Sequence, residues 1–408
     1  MRNLRIQLWS YNYAPEPTGI GPIAAVWAEE MLSRGHDVSV VAAHPHYPDA
    51  AWGTTRWPYR ETRAGIPVLR LPLIIGRQST GARIRQELSY VASLMAASPR
   101  IPSPDIIVAV SPSFPALLPA MVNARSRRIP WVLWLQDILP DGARVTGLMR
   151  EGRLFAAASR FERAAYASAA RIVVLSESFA SNLRAKGVPA EKVVQVYNPA
   201  TRPVQASERD EDSVEWNRVV TMGNIGRSQG LDEIVEAFQA NDDLTEAAAR
   251  FLLLGDGVAA DEVRACVHTD RIEITGIVGP ERLEDELSRA AVAVVSQRYE
   301  GVEFNVPSKL MNFMGAGVPV VGSVRPGSEV ARILESSGGG LVADSRRPSE
   351  AAGIVAQLLS QPGELRSKGA AGLRFAQDHF TIEAVADRFE EVFVGVGISE
   401  PRRPGRMK

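Results

Sequence analysis

From Leu4 onward, short runs of branched and aromatic residues alternate with longer stretches whose apolar positions recur every three or four residues. That rhythm predicts parallel strands separated by amphipathic helices, the pattern of a doubly wound α/β sheet. In the first half it predicts strands over 4–9, 37–42, 105–110, 131–135, 171–175 and 193–196. Helices are expected over 22–33, 83–97, 115–123, 152–168 and 178–186, with Gly187 ending the last. Residues 199–216, with Pro199, Pro203 and a polar run, break both periods and read as a linker. The alternation then restarts, with strands over 218–221, 251–254, 271–275, 291–295, 318–322 and 340–342. Helices begin near Leu231, Ala259, Pro280, Pro307, Ser328 and Pro348. Two domains of one kind are therefore expected, 1–198 and 217–380, facing across a cleft at the carboxyl ends of their strands. Segment 381–398 has helical spacing at Ile382, Val385, Ala386, Phe389 and Phe393, and the Pro- and Arg-rich residues 399–408 read as a disordered tail.

Composition narrows this picture. The single cysteine, Cys266, excludes an intrachain disulfide and a cysteine-built metal site, and fits a reducing compartment. No apolar run approaches the roughly 20 residues of a membrane span, and the first residues carry no signal-peptide pattern, so a cytoplasmic protein is expected. Residues 1–200 hold 23 Arg and Lys against 14 Asp and Glu, although the whole chain is only −1. A basic first half facing an acidic second half points to an anionic partner for the first, a membrane surface or a phosphate-bearing acceptor, and nucleic acid is not expected.

The candidate chemistry lies in loops that follow strands. The loop 11–21 ends in Gly19-Ile20-Gly21 at a helix start, where backbone N–H groups can approach an anion; it lacks the third glycine of a dinucleotide fingerprint. Gly223-Asn224-Ile225-Gly226-Arg227-Ser228-Gln229-Gly230 lies between a strand and a helix and reads as a diphosphate cradle, with Arg227 supplying charge. Pro307 opens another helix with Ser308 and Lys309 in its first turn, where a lysine is disfavoured by the helix dipole unless an anion binds there. Glu303, just upstream, suits hydrogen bonds to sugar hydroxyls. Asp137 follows a central strand, a place for a cleft-facing polar group, and His46 has a similar placement. The only Asp-x-Asp, Asp210-Glu211-Asp212, falls in the polar linker, and the five histidines show no metal spacing beyond His44-Pro45-His46. Metal-independent chemistry without a cofactor is therefore expected.

These pieces, in order, make the chain resemble the family-4 glycosyltransferases of bacterial surface-polysaccharide synthesis, of the O-antigen and colanic-acid kind. The resemblance is carried by Tyr13-Ala14-Pro15-Glu16-Pro17 with Gly19-Ile20-Gly21, Gly35-His36-Asp37-Val38, His44-Pro45-His46-Tyr47-Pro48, and 134–141 from Trp134 to Asp141. The second half adds 223–230, Gly255-Asp256-Gly257, Val306-Pro307-Ser308-Lys309 and Gly317-Val318-Pro319-Val320. It implies a GT-B fold of two Rossmann-like domains and transfer of a sugar, with retention, from a nucleotide sugar to a saccharide acceptor, lipid-linked in such pathways. The final helix is implied to cross back to the first domain.

The implied donor residues are Gly19, Gly21, Gly223, Asn224, Gly226, Arg227, Gly255, Gly276, Ile277, Asn305, Ser308, Lys309 and Asn312. Acceptor residues are Glu16, His46 and Asp137, and catalysis falls to Asp137, Glu303, Arg227 and Lys309. Two departures stand out. Phe304 and Asn312 occupy the places of the family's paired glutamates, and Asn224 and Gln229 those of its Arg and Lys, leaving Arg227 and Lys309 to supply positive charge. The turn 274–278 resembles the family's base-reading turn, with UDP preferred and GDP open. A sugar-nucleotide epimerase of GT-B fold and a non-catalytic nucleotide-sugar-binding subunit are the alternatives. Arg77, Arg83 and Arg85 ahead of Leu88, Val91, Leu94 and Met95, with Arg125, Arg127 and Arg128, would suit an anionic membrane surface.

Overall fold

The computed structural model describes residues 3–17, 19–46, 56–76, 79–111, 113–137, 152–300 and 306–397. Glu303, Asn305, Asp141, Arg77 and the tail 399–408 lie outside them. The chain divides into two compact units, Met1–Asn198 with Val385–Lys408, and Pro199–Ala384.

The first unit is built on eight strands: β1 (Arg5–Ser10), β2 (Asp37–Ala43), β3 (Tyr59–Arg63), β4 (Ile66–Leu71), β5 (Ile106–Ser111), β6 (Trp131–Leu135), β7 (Arg171–Val174) and β8 (Val193–Gln195). Their order is β3-β4-β2-β1-β5-β6-β7-β8, parallel except for the β3–β4 pair. Every residue of β5 and β6 is buried, as continuous apolar strands must be when helices cover both faces. Strand order reverses between β1 and β5, so the crevice beyond their carboxyl ends is this unit's natural ligand position.

The β3–β4 hairpin was absent from the predicted elements. Its turn is Ala64-Gly65, both at positive φ, which is the backbone of a tight two-residue hairpin. Fully buried Arg70 on β4 then ties the sheet to the loop after β1. It donates to the carbonyls of Ala43 and Ala14, pairs with Glu61 and lies 5.6 Å from the Tyr13 ring centroid.

Helix Ile382–Gly395 closes the first unit, its stripe of Val385, Ala386, Phe389, Val392 and Phe393 buried. Phe389 meets Trp27 and Trp134 with ring centroids 5.0 Å away in each case. Its polar flank is fixed as well, because Glu390 pairs with both Arg34 and the buried His36.

The second unit carries β9 (Glu215–Met222), β10 (Arg250–Leu254), β11 (Ile272–Ile274), β12 (Ala290–Ser296), β13 (Val320–Val324) and β14 (Gly340–Asp344). The sheet runs β11-β10-β9-β12-β13-β14, all parallel, with its switch point between β9 and β12. Residues 199–216, expected to form a linker, belong to this unit and strap it. Arg209 donates to the carbonyls of Ser288 and Ala290, Gln205 N donates to Gly315 O, and Glu215 already opens β9. Those bonds are made by side chains and irregular backbone, which leave no hydrophobic period to read.

Candidate functional site

A cavity of about 680 Å³ opens in the second unit at the carboxyl ends of β9, β10 and β11. Its walls come from the turns after those strands, from the helix Ser308–Gly315 and from the strap residues Thr201 and Arg202.

The floor depends on one glycine contact. Gly223, at φ 94°, donates from its N to Leu254 O, and a Cβ on Gly255 would stand far inside contact distance of the Gly223 carbonyl oxygen. Only a residue without a side chain lets the two turns meet there. The following loop is held as firmly: Ile225 N donates to Asp256 O, Ser296 Oγ to Gln229 O, and Arg298 Nε to Arg227 O. Arg298 is itself anchored on Asp232 and Glu233. A loop fixed from three sides loses little entropy when an anion settles on it.

Lys309 provides the positive charge. It stands in the first turn of Ser308–Gly315, and its Nζ donates to Gln229 Oε1 at 2.8 Å, while Gln229 Nε2 donates to Asn224 O at 2.6 Å. Burial pulls its pKa from 10.5 down to about 8. A desolvated ammonium held by a neutral amide at a helix N-terminus is a site prepared for an anion, which would stabilise its charged form.

Asn312, one turn further on, is nearly buried and exchanges hydrogen bonds with Thr201, Asn312 Nδ2 to Thr201 Oγ1 at 2.9 Å and the hydroxyl back to Oδ1 at 3.2 Å. Arg202 reaches the same wall, 3.5 Å from both the Pro280 carbonyl and Glu284. Ile277 and Val278 line the opposite lip, after Gly276 turns the chain at φ 73°.

Gly223, Asn224, Gly255, Ile277, Ser308, Lys309 and Asn312 thus line one cavity, while Gly226 and Gly276 lie in its turns. Arg227 does not join them. It is not among the lining residues: 71% of its side chain is exposed, and it pairs at 2.6 Å with Glu262 on the helix Ala260–Ala265. Thr201 and Arg202 were missed, since they lie in the segment that reads as a linker.

Gly19 and Gly21 belong to the first unit, where Gly19 at φ 68° precedes the helix Ile20–Ser33, so they form no part of this cavity's lining. Glu16 and His46 are both buried. Glu16 Oε1 accepts from His46 N at 2.8 Å, and Oε2 accepts from Asn12 Nδ2, so this carboxylate braces two loops instead of presenting itself to solvent. Asp137 is half-buried just past the end of β6. Glu87 was also missed: from the helix Thr80–Ala97 it accepts from Ser113 Oγ at 3.1 Å beyond the end of β5, and burial raises its pKa. Its signal was that it is the lone acid of a helix that also carries Arg83 and Arg85.

Residues 18–199 match the family description "Glycosyl transferase 4-like domain" and residues 217–361 match "Glycosyl transferases group 1". The chain belongs to the family-4 glycosyltransferases. Glycosyl transfer is the activity of that family, and each matched region falls on one of the two sheets. Among curated relatives, the colanic acid biosynthesis glycosyl transferase WcaI of Escherichia coli K12 is 26% identical over 378 residues, 87% of this chain and 91% of the relative. Among solved structures, sucrose-phosphate synthase from Thermosynechococcus elongatus has a TM-score of 0.69 at 15% identity, covering 97% of this glycosyltransferase and all of the synthase. Anabaena HepE, solved with UDP and glucose, has a TM-score of 0.64 at 15% identity and covers 96% of this chain and 100% of its own. The fold is GT-B, with two Rossmann-like doubly wound units.

Proposed function

We propose that this glycosyltransferase moves a hexosyl or N-acetylhexosaminyl group from a nucleoside diphosphate sugar to a saccharide carried on a lipid, in surface-polysaccharide biosynthesis. The observation that carries the reading is Lys309, desolvated at a helix N-terminus beside a glycine-built floor. The diphosphate would lie over Gly223, Asn224 and the first turn of Ser308–Gly315, the ribose beside Thr201 and Asn312, and the base against Ile277 and Val278. UDP is preferred over GDP, and the UDP held by the similar HepE favours the same reading.

The bond from C1 of the sugar to the diphosphate breaks, and the acceptor oxygen bonds C1 on the same face. The acceptor's proton leaves with the diphosphate. Lys309 and the helix end neutralise the departing charge, so no metal ion is required by the scheme. Among the described residues no three His, Cys, Asp or Glu side chains are placed to hold one. Asp137, at the carboxyl edge of the first unit's sheet, is assigned to the acceptor.

Calorimetry with UDP, GDP, ADP and CMP, with and without EDTA, tests the donor half. Metal-independent UDP binding that is lost in Lys309→Ala is the expected result. No binding of any nucleotide would overturn the reading. Transfer from a UDP-sugar, followed by NMR of the product's anomeric proton, tests retention; conversion of the donor without any acceptor would mark an epimerase instead.

A further inference from the structure

Helices Thr80–Ala97 and Leu117–Arg127 pack against each other on the first unit. Val91 and Leu94, expected to face a membrane, are buried in the core, and Arg127 is spent on the carbonyls of Ile101 and Ser98. Leu88 and Met95 of the same expected stretch do face outward, and other side chains join Leu88 there. Ile84 and Leu88, one helical turn apart, are 52% and 53% exposed, and Leu118 and Val122, again one turn apart, are each 41% exposed. Arg83, Arg85 and Arg125 are exposed beside them. The two helices contain a single acid, Glu87, and it turns inward to Ser113.

Water solvates neither stripe well, and a protein core would not be flanked by arginines without matching acids. Large aliphatic side chains one turn apart, bordered by guanidinium groups and free of exposed carboxylates, match the interface of a bilayer that carries negative headgroups. No described helix is long and apolar enough to cross a membrane, so attachment through this face would be peripheral.

We propose that this face, centred on Ile84, Leu88, Leu118 and Val122 with Arg83 and Arg125 at its border, docks the chain on an anionic lipid bilayer. The face shares no residue with the nucleotide cavity, so failure of either reading leaves the other standing.

The test is co-sedimentation of the full chain with phosphatidylcholine vesicles with and without phosphatidylglycerol, at low and high salt. Binding is expected only with phosphatidylglycerol, and it should weaken at high salt. Leu118→Ser with Val122→Ser, and separately Arg83→Gln with Arg125→Gln, should each reduce it by about tenfold. UDP affinity and melting should stay unchanged, and the arginine pair, which touches no core position, keeps the test valid if the serine pair fails to fold. Absence of binding to phosphatidylglycerol vesicles at low salt overturns the proposal, as does undiminished binding by the arginine pair. So does a wild-type dimer, seen by analytical ultracentrifugation, that the variants dissolve without any vesicle binding, because the face would then belong to a second copy of the chain.

Discussion

Removing the charge of Lys309 should stabilise the free protein and cripple the bound one. Pulling an ammonium from 10.5 to about 8 corresponds to about 3 kcal/mol against its charged form at 1.36 kcal/mol per pH unit. Below pH 8 both folded and unfolded chains hold the proton, and the folded state bears the whole penalty. Between pH 8 and 10.5 the unfolded chain binds more protons, so stability rises with pH, and above 10.5 the penalty is gone. Lys309→Met should therefore be more stable than wild type at pH 7, by up to about 3 kcal/mol, with the advantage shrinking as pH rises through that window. A bound diphosphate reverses the preference, since a charge-assisted hydrogen bond contributes about 1.5 to 3 kcal/mol, roughly ten- to a hundredfold in affinity. Above pH 8 wild-type affinity for UDP should fall about tenfold per pH unit, while the diphosphate's own charge stays constant. Lys309→Arg keeps its charge throughout and should bind with a flat profile. Calorimetry from pH 7 to 9.5 reads all three proteins, and wild-type binding should be accompanied by proton uptake near pH 8. A flat wild-type profile, or Lys309→Met binding UDP as tightly as wild type at pH 7, would refute the role given to this side chain.

Arg227→Ala should leave kcat/KM within about twofold of wild type, because an exposed pair with Glu262 contributes little; a tenfold loss in steady-state kinetics would put the guanidinium back at the diphosphate. Asp137→Asn should lower transfer by about a hundredfold or more while UDP affinity measured by calorimetry is unchanged, and loss of nucleotide affinity would misplace the residue. Phe389→Ala opens a cavity between Trp27 and Trp134 and should cost about 3 to 5 kcal/mol, read as an earlier denaturant transition in tryptophan fluorescence.

What could be read from the sequence follows from where the hydrophobic effect acts. Strands such as β5 and β6, buried on both faces, must be continuously apolar, so their limits were legible to within a residue or so. The C-terminal helix declared its buried stripe in the same way. The hairpin β3–β4 did not, because β3 is largely exposed and, as Tyr-Arg-Glu-Thr-Arg, mostly polar; its only signature was Ala64-Gly65, a turn recognisable by conformation and not by composition. The cavity divides along the same line. Gly223 and Gly255 could be found because glycines after strands are a sequence signal, and Lys309 because a lysine in a helix's first turn opposes the dipole. Thr201 and Arg202 could not, since a strap held by side-chain and carbonyl hydrogen bonds has no period. Arg227 shows the converse error. It had the right loop and the right charge, and its direction was decided by Glu262, 35 residues further along on another helix. In this protein the residues that line the cavity were largely legible as a set, but burial separates its two candidate cations: Lys309 is desolvated and lines the cavity, whereas Arg227 is solvated and already paired.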